Sequence, residues 1–235
     1  MSKPTIRGRL HPRRSDHAYL QLKALAQALR SEAAEVGEGL VLDLGAGAKP
    51  YRSLFRGGYI GVDLSSAHGD PDCLAWAEIL PVRSGSVSTV LSTQQLEHVS
   101  DPVAVLGEAR RVLRPEGVLL LTTHGVWVHH PDPFDYWRWT EQGLIRLFDE
   151  CGFTVERVHH QGELVAAGLL LLTYPLAGLR EARSRWVRAF AAVALIVANS
   201  LGEAADALAV RALPRHYASP SYLIVARPRH DDDQG

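Results

Sequence analysis

Cysteine is scarce in this chain. Only Cys73 and Cys151 occur in 235 residues, and they form no Cys-x-x-Cys pair. That excludes a disulfide scaffold and a zinc ribbon, and leaves two reduced thiols in a cytoplasmic protein as the expectation. An excess of one charge is missing too. Lysine and arginine number 25 against 26 aspartates and glutamates, for a net charge of −1. A dedicated nucleic-acid binder shows its basic face in that count, so no nucleic-acid partner is expected. The N-terminal basic residues Lys3, Arg7, Arg9, Arg13 and Arg14 have no apolar run behind them, and no signal peptide is expected. No internal repeat is visible. Long hydrophobic runs are absent as well. The two most apolar blocks, 164–179 and 189–201, each fall short of the roughly 20 residues that span a bilayer, and Pro175 interrupts the first.

What is present alternates. Leu22, Leu25 and Leu29 recur at helical spacing inside 16–35, and Gly37 and Gly39 stop that helix. "LVLDL" (40–44), "YIGVDL" (59–64), a short stretch near 73–75, "VSTVLST" (87–93), "VLLLTT" (118–123), "FTVERVHH" (153–160) and "SYLIVARP" (221–228) read as strands. Helices are expected near 50–56, over 102–113 with "RPEG" as its turn, and over 141–151 behind a Thr140 cap. Strands and helices in this rhythm predict an α/β fold with a doubly wound, mostly parallel sheet. Ligands of such sheets bind beyond the carboxyl ends of the strands. Those ends carry 43–47, Asp63, 92–95 and 122–124.

One domain is expected over 1–235. It comprises an N-terminal helical segment (1–38), a cofactor-binding core (39–160), an apolar helical insertion (161–215), a final strand (216–228) and a disordered tail (229–235). The insertion reads as helices that pack on the sheet or form a dimer face. A second reading is a membrane-surface helix pair, with Arg180, Arg183, Arg185, Arg188 and Trp186 near headgroups.

"GLVLDLGAGAKPYRSLF" (39–55) carries the chemistry. A strand, a glycine turn and a helix usually cradle a phosphate. Here Asp43 stands two residues before Gly45, and a pyrophosphate beside it would be repelled by a few kcal/mol, in order of magnitude, at low effective dielectric. Pro50 also occupies the place of the third glycine in G-x-G-x-x-G. A nicotinamide oxidoreductase is therefore improbable. A cofactor with an ammonium and a sulfonium would be attracted instead, which points to S-adenosylmethionine. Asp63, at the tip of the second strand, suits the two ribose hydroxyls. Gly45 and Gly47 allow close backbone approach.

"VLDLGAG", "IGVDLS", "ILPVRSGSVSTVLSTQQLEHVSDP" and "EARRVLRPEGVLLLTT" resemble, in that order, the successive motifs of class I S-adenosylmethionine-dependent methyltransferases of the type-11 group. The resemblance runs from about Gly39 to His160, with the final strand added. It implies a seven-stranded Rossmann-like sheet whose last strand is antiparallel, and methyl transfer to small molecules more often than to nucleic acid or protein. A hydroxyl of a sugar or secondary metabolite is the expected acceptor.

The chain departs from that pattern in places. Trp76 stands where a carboxylate often meets the adenine amino group, while Ala77 still offers its backbone N–H. Ser84 and Ser88 replace acids. These changes motivate an alternative, a catalytically inactive binding protein on the same fold with Trp76 covering or blocking the pocket. Gln94 counts with the cofactor residues, and it replaces the first glutamate of a Glu-x-x-Glu-His metal set. With only Glu97 and His98 left, no metal is expected, and that pair caps the next helix and lines the acceptor pocket. Over the methyl donor lies "THGVWVHHPDPFDYWRWTEQGL" (123–144). An acceptor hydroxyl must lose its proton. Among His124, His129, His130 and Asp135, the expected catalytic set is His124, His130 and Asp135, a His–Asp pair raising imidazole basicity. Trp137 and Trp139 are expected to anchor the following helix.

Overall fold

The computed structural model describes residues 6–131, 134–212 and 218–229. The expected tail lies outside these residues apart from Arg229, as do Lys3 and the start of the last expected segment. Seven strands form one sheet: β1 (Val41–Leu44), β2 (Tyr59–Asp63), β3 (Cys73–Leu74), β4 (Val87–Thr93), β5 (Leu113–His124), β6 (Phe153–His160) and β7 (Ser221–Pro228). Their order is β3-β2-β1-β4-β5-β7-β6. β1 to β5 pair in parallel, and the sheet is completed by one antiparallel hairpin. β1 contacts β2 on one side and β4 on the other. The winding reverses there, which opens a crevice at the carboxyl ends of these strands.

Local chemistry explains the elements around that crevice. All four residues of β1 are buried, so the strand reads as a continuous apolar run broken only by Asp43. Helix α3 (Pro102–Val112) starts where the Asp101 carboxylate accepts the Ala104 N–H at 3.0 Å. It buries Val105, Leu106, Ala109 and Val112 at helical spacing. Helix α4 (Glu141–Glu150) is capped by the Thr140 hydroxyl, which accepts the Gly143 N–H at 3.1 Å.

Two elements differ from the sequence reading. The helix expected over 50–56 is only a single 3-10 turn at Arg52–Leu54. Lys49 takes a left-handed φ of 52° just ahead of it, and a Cβ on Gly57 would fall 1.9 Å from the Gly39 carbonyl oxygen. The link between β1 and β2 is thus pressed against its own base and has no room for an α-helix. The "RPEG" turn is a bulge inside β5: Val87 pairs with Leu113, whereas Thr89 pairs with Val118.

By its contacts the chain forms two compact units. The larger comprises 28–124, 129–159 and 222–235, with most of the sheet. The smaller comprises 1–27, 125–128 and 160–221. It contains α1 (Ile6–Leu10), the first half of α2 (Tyr19–Glu35), α5 (Leu164–Leu172), α6 (Tyr174–Leu179) and α7 (Arg185–Ala212). Pro175 separates α5 from α6, as a residue without an N–H must. α7 runs well past the C-terminal end of its apolar block, because "GEAADALAVRA" is rich in good helix formers.

Candidate functional site

The glycine turn after β1 is locked from β2. Gly45 and Gly47 are left-handed, with φ of 68° and 49°. Asp63 Oδ2 accepts the Gly47 N–H at 2.8 Å, and Oδ1 accepts the Leu64 N–H at 2.7 Å. Oδ1 also accepts the Ser65 N–H at 3.4 Å, while Oδ2 keeps a lone pair for a further donor. A Cβ on Gly45 would sit 2.8 Å from Gln95 Cγ, so the side chain after Gln94 closes over the turn. Asp43 is buried, and its Oδ2 accepts the Tyr59 phenol at 2.5 Å. Burial and the facing carboxylate push that phenol far above its ordinary pKa.

These residues fit S-adenosylmethionine. Two carboxylates and a bare backbone turn meet at strand ends, a donor set suited to a cation carrying a ribose. Ala77 is buried, whereas its neighbour Trp76 is 64% exposed. The indole therefore fills no pocket. Ser84 and Ser88, which replace acids, serve packing: the Ser84 hydroxyl accepts from Arg111 at 3.1 Å, and Ser88 lies where a Gly39 Cβ would point. Gln94, expected at the cofactor, donates its side-chain amide to Thr122 Oγ1 at 3.1 Å.

A second cluster gathers at the ends of β4 and β5. Glu97 and His124 are both buried, with His124 Nε2 3.1 Å from Glu97 Oε1. The Thr123 hydroxyl donates to Glu97 Oε2 at 2.9 Å. The His130 ring stands edge-on to His124 at 5.0 Å and to His98 at 5.1 Å. Burial raises the Glu97 carboxyl to about 7. It also drives the His124 imidazole well below its ordinary pKa, helped by the cationic character of His130 and Arg138. His124 is accordingly a neutral imidazole at physiological pH.

Asp135 joins this cluster through His130 and also through Arg138. Its Oδ2 accepts the His130 backbone N–H at 3.0 Å, while His130 Nδ1 is 3.6 Å away. Arg138 grips the carboxylate with both nitrogens, at 2.6 and 2.7 Å. Burial alone would raise the Asp135 pKa; the Arg138 fork and the His130 N–H hold it well below the carboxylate range. Asp135 thus fixes the backbone at His130 and faces its ring as a carboxylate. His129 is exposed. Trp137 donates to the Val99 carbonyl at 2.8 Å and stacks on Trp139, which anchors the segment.

Arg138 escaped the sequence reading, and Thr123 and Gln95 entered it only as members of strand-end ranges. The Asp-x-x-Arg spacing of 135 and 138 was a legible ion-pair signal, whereas the particular contacts of Thr123 and Gln95 depended on register. The sequence reading weighs Gln94, Glu97 and His98 as cation ligands. The fold instead brings the donor atoms of Glu97, His124 and His130 within 4.8 Å of one another, a carboxylate and two imidazoles of the kind that suit a first-row divalent ion. His98 Nδ1 lies 2.5 Å from the Phe134 carbonyl.

A reversed winding, a carboxylate-locked glycine turn and a buried polar cluster at the same strand ends define a Rossmann-like fold with a candidate site at the carboxyl ends of its strands. Residues 42–121 match the family model described as a methyltransferase domain. The matched residues resemble that family, and the sheet has the fold of the class I S-adenosylmethionine-dependent methyltransferases. A "Probable S-adenosylmethionine-dependent methyltransferase" of Mycolicibacterium smegmatis is 34% identical over 83 residues, covering 33% of this chain and 32% of that protein. An uncharacterized 37.1 kDa protein in transposon TN4556 of Streptomyces fradiae is 34% identical over 114 residues, covering 43% and 32%. The chain thus spans about a third of the length of these curated relatives. Among solved structures, an S-adenosylmethionine-dependent methyltransferase of Mesorhizobium loti superposes with TM-score 0.54 at 17% identity, over 88% of this chain and 99% of that one. The [4+2]-cyclase SpnF superposes with TM-score 0.53 at 20% identity, over 87% and 81%.

Proposed function

We propose that this protein transfers a methyl group from S-adenosylmethionine to a small-molecule oxygen nucleophile, a hydroxyl of a sugar or secondary metabolite. The observation that carries the reading is the meeting of the Asp63-locked glycine turn with the Glu97–His124–His130 cluster at neighbouring strand ends. When bound, the cofactor supplies an electrophilic methyl on a sulfonium. Asp63 holds the ribose, and Asp43 provides the negative potential that a cation needs and a pyrophosphate lacks. Ala77 offers its backbone N–H to the adenine.

Charge is lost rather than built in such a displacement, so alignment supplies much of the rate. The residues contribute proton handling as well. His124, held neutral by burial, is able to take the acceptor's proton, and Glu97 beside it stabilises the imidazolium that results. His130 is half-buried and turns its ring toward the same place. Asp135 and Arg138 hold it there and are positioning residues. A neighbour on the same fold that is named a cyclase shows that fold alone does not settle chemistry; the buried acid and imidazole favour a proton-abstracting reaction here. The exposed Trp76 leaves little support for the inactive alternative.

Isothermal calorimetry with S-adenosylhomocysteine is the first test, with micromolar binding expected. Labelled cofactor and a pool of hydroxylated metabolites should then yield a methylated small molecule. His124→Ala should lose about 10²–10⁴-fold in rate with cofactor affinity retained. No affinity for the cofactor product would overturn the reading.

A further inference from the structure

Helix α7 wears its apolar residues on the outside. Trp186, Phe190, Val193, Val197, Leu201 and Leu208 follow one another at intervals of four, three, four, four and seven, so they share one face. All six are exposed, Trp186 at 72%, Leu201 at 67% and Phe190 at 65%. The stripe is about 33 Å long at 1.5 Å per residue. No charged residue falls on that face between its two ends, whereas Arg211 stands near the far end. A contiguous apolar surface of this length is not left to water without a reason.

The opposite face of α7 is committed. Ala191, Leu195 and Asn199 are buried. Asn199 Nδ2 donates to the Arg14 and Asp16 carbonyls at 2.8 and 3.0 Å. Glu203 pairs with Lys23 and with Arg14. The Asp206 carboxylate accepts the N–H groups of Glu163, Val165 and Ala166, closing the start of α5. By length and composition α7 is long and apolar enough to cross a bilayer. A spanning helix, however, would carry Asn199, Glu203 and Asp206 into hydrocarbon and break all of these bonds. The arrangement suits a helix lying flat.

Charge identifies what covers the stripe. At its start, Arg180, Arg183, Arg185 and Arg188 are all exposed, against the single acid Glu181. The Arg185 guanidinium lies 4.8 Å over the Trp186 ring, an amphipathic pair of the kind found at the headgroup level. A second copy laid antiparallel on the stripe would meet these arginines with its own far end, where Glu203 and Asp206 are turned inward and already bonded. Anionic headgroups supply the missing negative charge.

We infer that α7 docks this protein on the surface of an anionic lipid bilayer, with the Trp186–Leu208 stripe in the acyl boundary and the arginines at the phosphates. The test is co-sedimentation of the full chain with vesicles of phosphatidylcholine, alone or with one-third phosphatidylglycerol. Binding to the anionic vesicles should be at least about tenfold tighter, weaken with salt, and reverse on alkaline carbonate washing. The doubly substituted Phe190→Ser, Val197→Ser protein should lose about tenfold or more in partitioning. Its thermal melt should stay that of the parent, because both side chains are exposed. Protein left in the supernatant with every vesicle overturns the inference. So does a dimer by light scattering that the double substitution dissociates, which would make a second copy the occupant. Resistance to carbonate overturns it in favour of a spanning helix.

Discussion

Glu97→Gln isolates the unusual carboxyl at the centre of the site. Glu97 is fully buried, and its pKa stands at about 7 against an ordinary 4.5. The folded protein therefore holds this proton more tightly than the unfolded chain. Stability from this group is full below pH 4.5 and is lost as pH rises to about 7. At 1.36 kcal/mol per pH unit, that loss is about 3 kcal/mol. Glutamine copies the protonated acid: its carbonyl can accept from Thr123, and its amide can face His124. The variant should match the parent at pH 4.5 and exceed it by about 3 kcal/mol at pH 8.5, the value that follows from the same arithmetic. His124 works in the other sense, since an imidazole kept neutral by burial destabilises the fold as pH drops below 6.5. It is present in both proteins and largely cancels in the difference. Urea unfolding at a series of pH values measures that difference. A gap that stays constant with pH would refute the reasoning, because the carboxyl would then titrate at its ordinary value in a wet site.

Gly45→Ala places a Cβ 2.8 Å from Gln95 Cγ at a φ of 68°; it should lower stability by about 2 kcal/mol and weaken cofactor binding, and an unchanged melting temperature would show that the turn relaxes. Glu32 is buried against the Arg157 fork at 2.6 and 3.1 Å and His159 at 2.6 Å. Burial opposes its ionisation, but these partners win and lower its pKa below 4.5. Glu32→Gln should therefore cost about 1–2 kcal/mol at neutral pH, discounted for the half-exposed arginine. That gap should close as the parent is acidified through the lowered pKa, and equal urea midpoints at pH 7 would refute the pairing.

Much of the larger unit is legible along the chain. Buried strands read as short apolar runs, and Asp101 and Thr140 announce their helices by capping chemistry that acts within three residues. Gly45, Gly47 and Asp63 were visible for the same local reason: a turn that needs left-handed backbone and an acid at a strand tip. The link over 50–56 reads wrongly because its form depends on Gly57 meeting Gly39, a contact between the two ends of the loop. Asp135 reads as a partner for an imidazole and faces the His130 ring at 3.6 Å, while the two short bonds of Arg138, one turn along the chain, escaped that reading.

The sequence by itself determined the alternation of strands and helices, the cationic cofactor suggested by Asp43, and the strand ends where chemistry collects, because each follows from periodicity or from a charge beside its own turn. Only the tertiary structure decided which polar residues meet. Glu97 and His124 come from different strand ends and acquire their shifted proton affinities from shared burial, a quantity that no single segment carries. The same holds for α7: its apolar residues would suit a core, and it is the polar bonds of Asn199, Glu203 and Asp206 on the other face that turn the stripe outward.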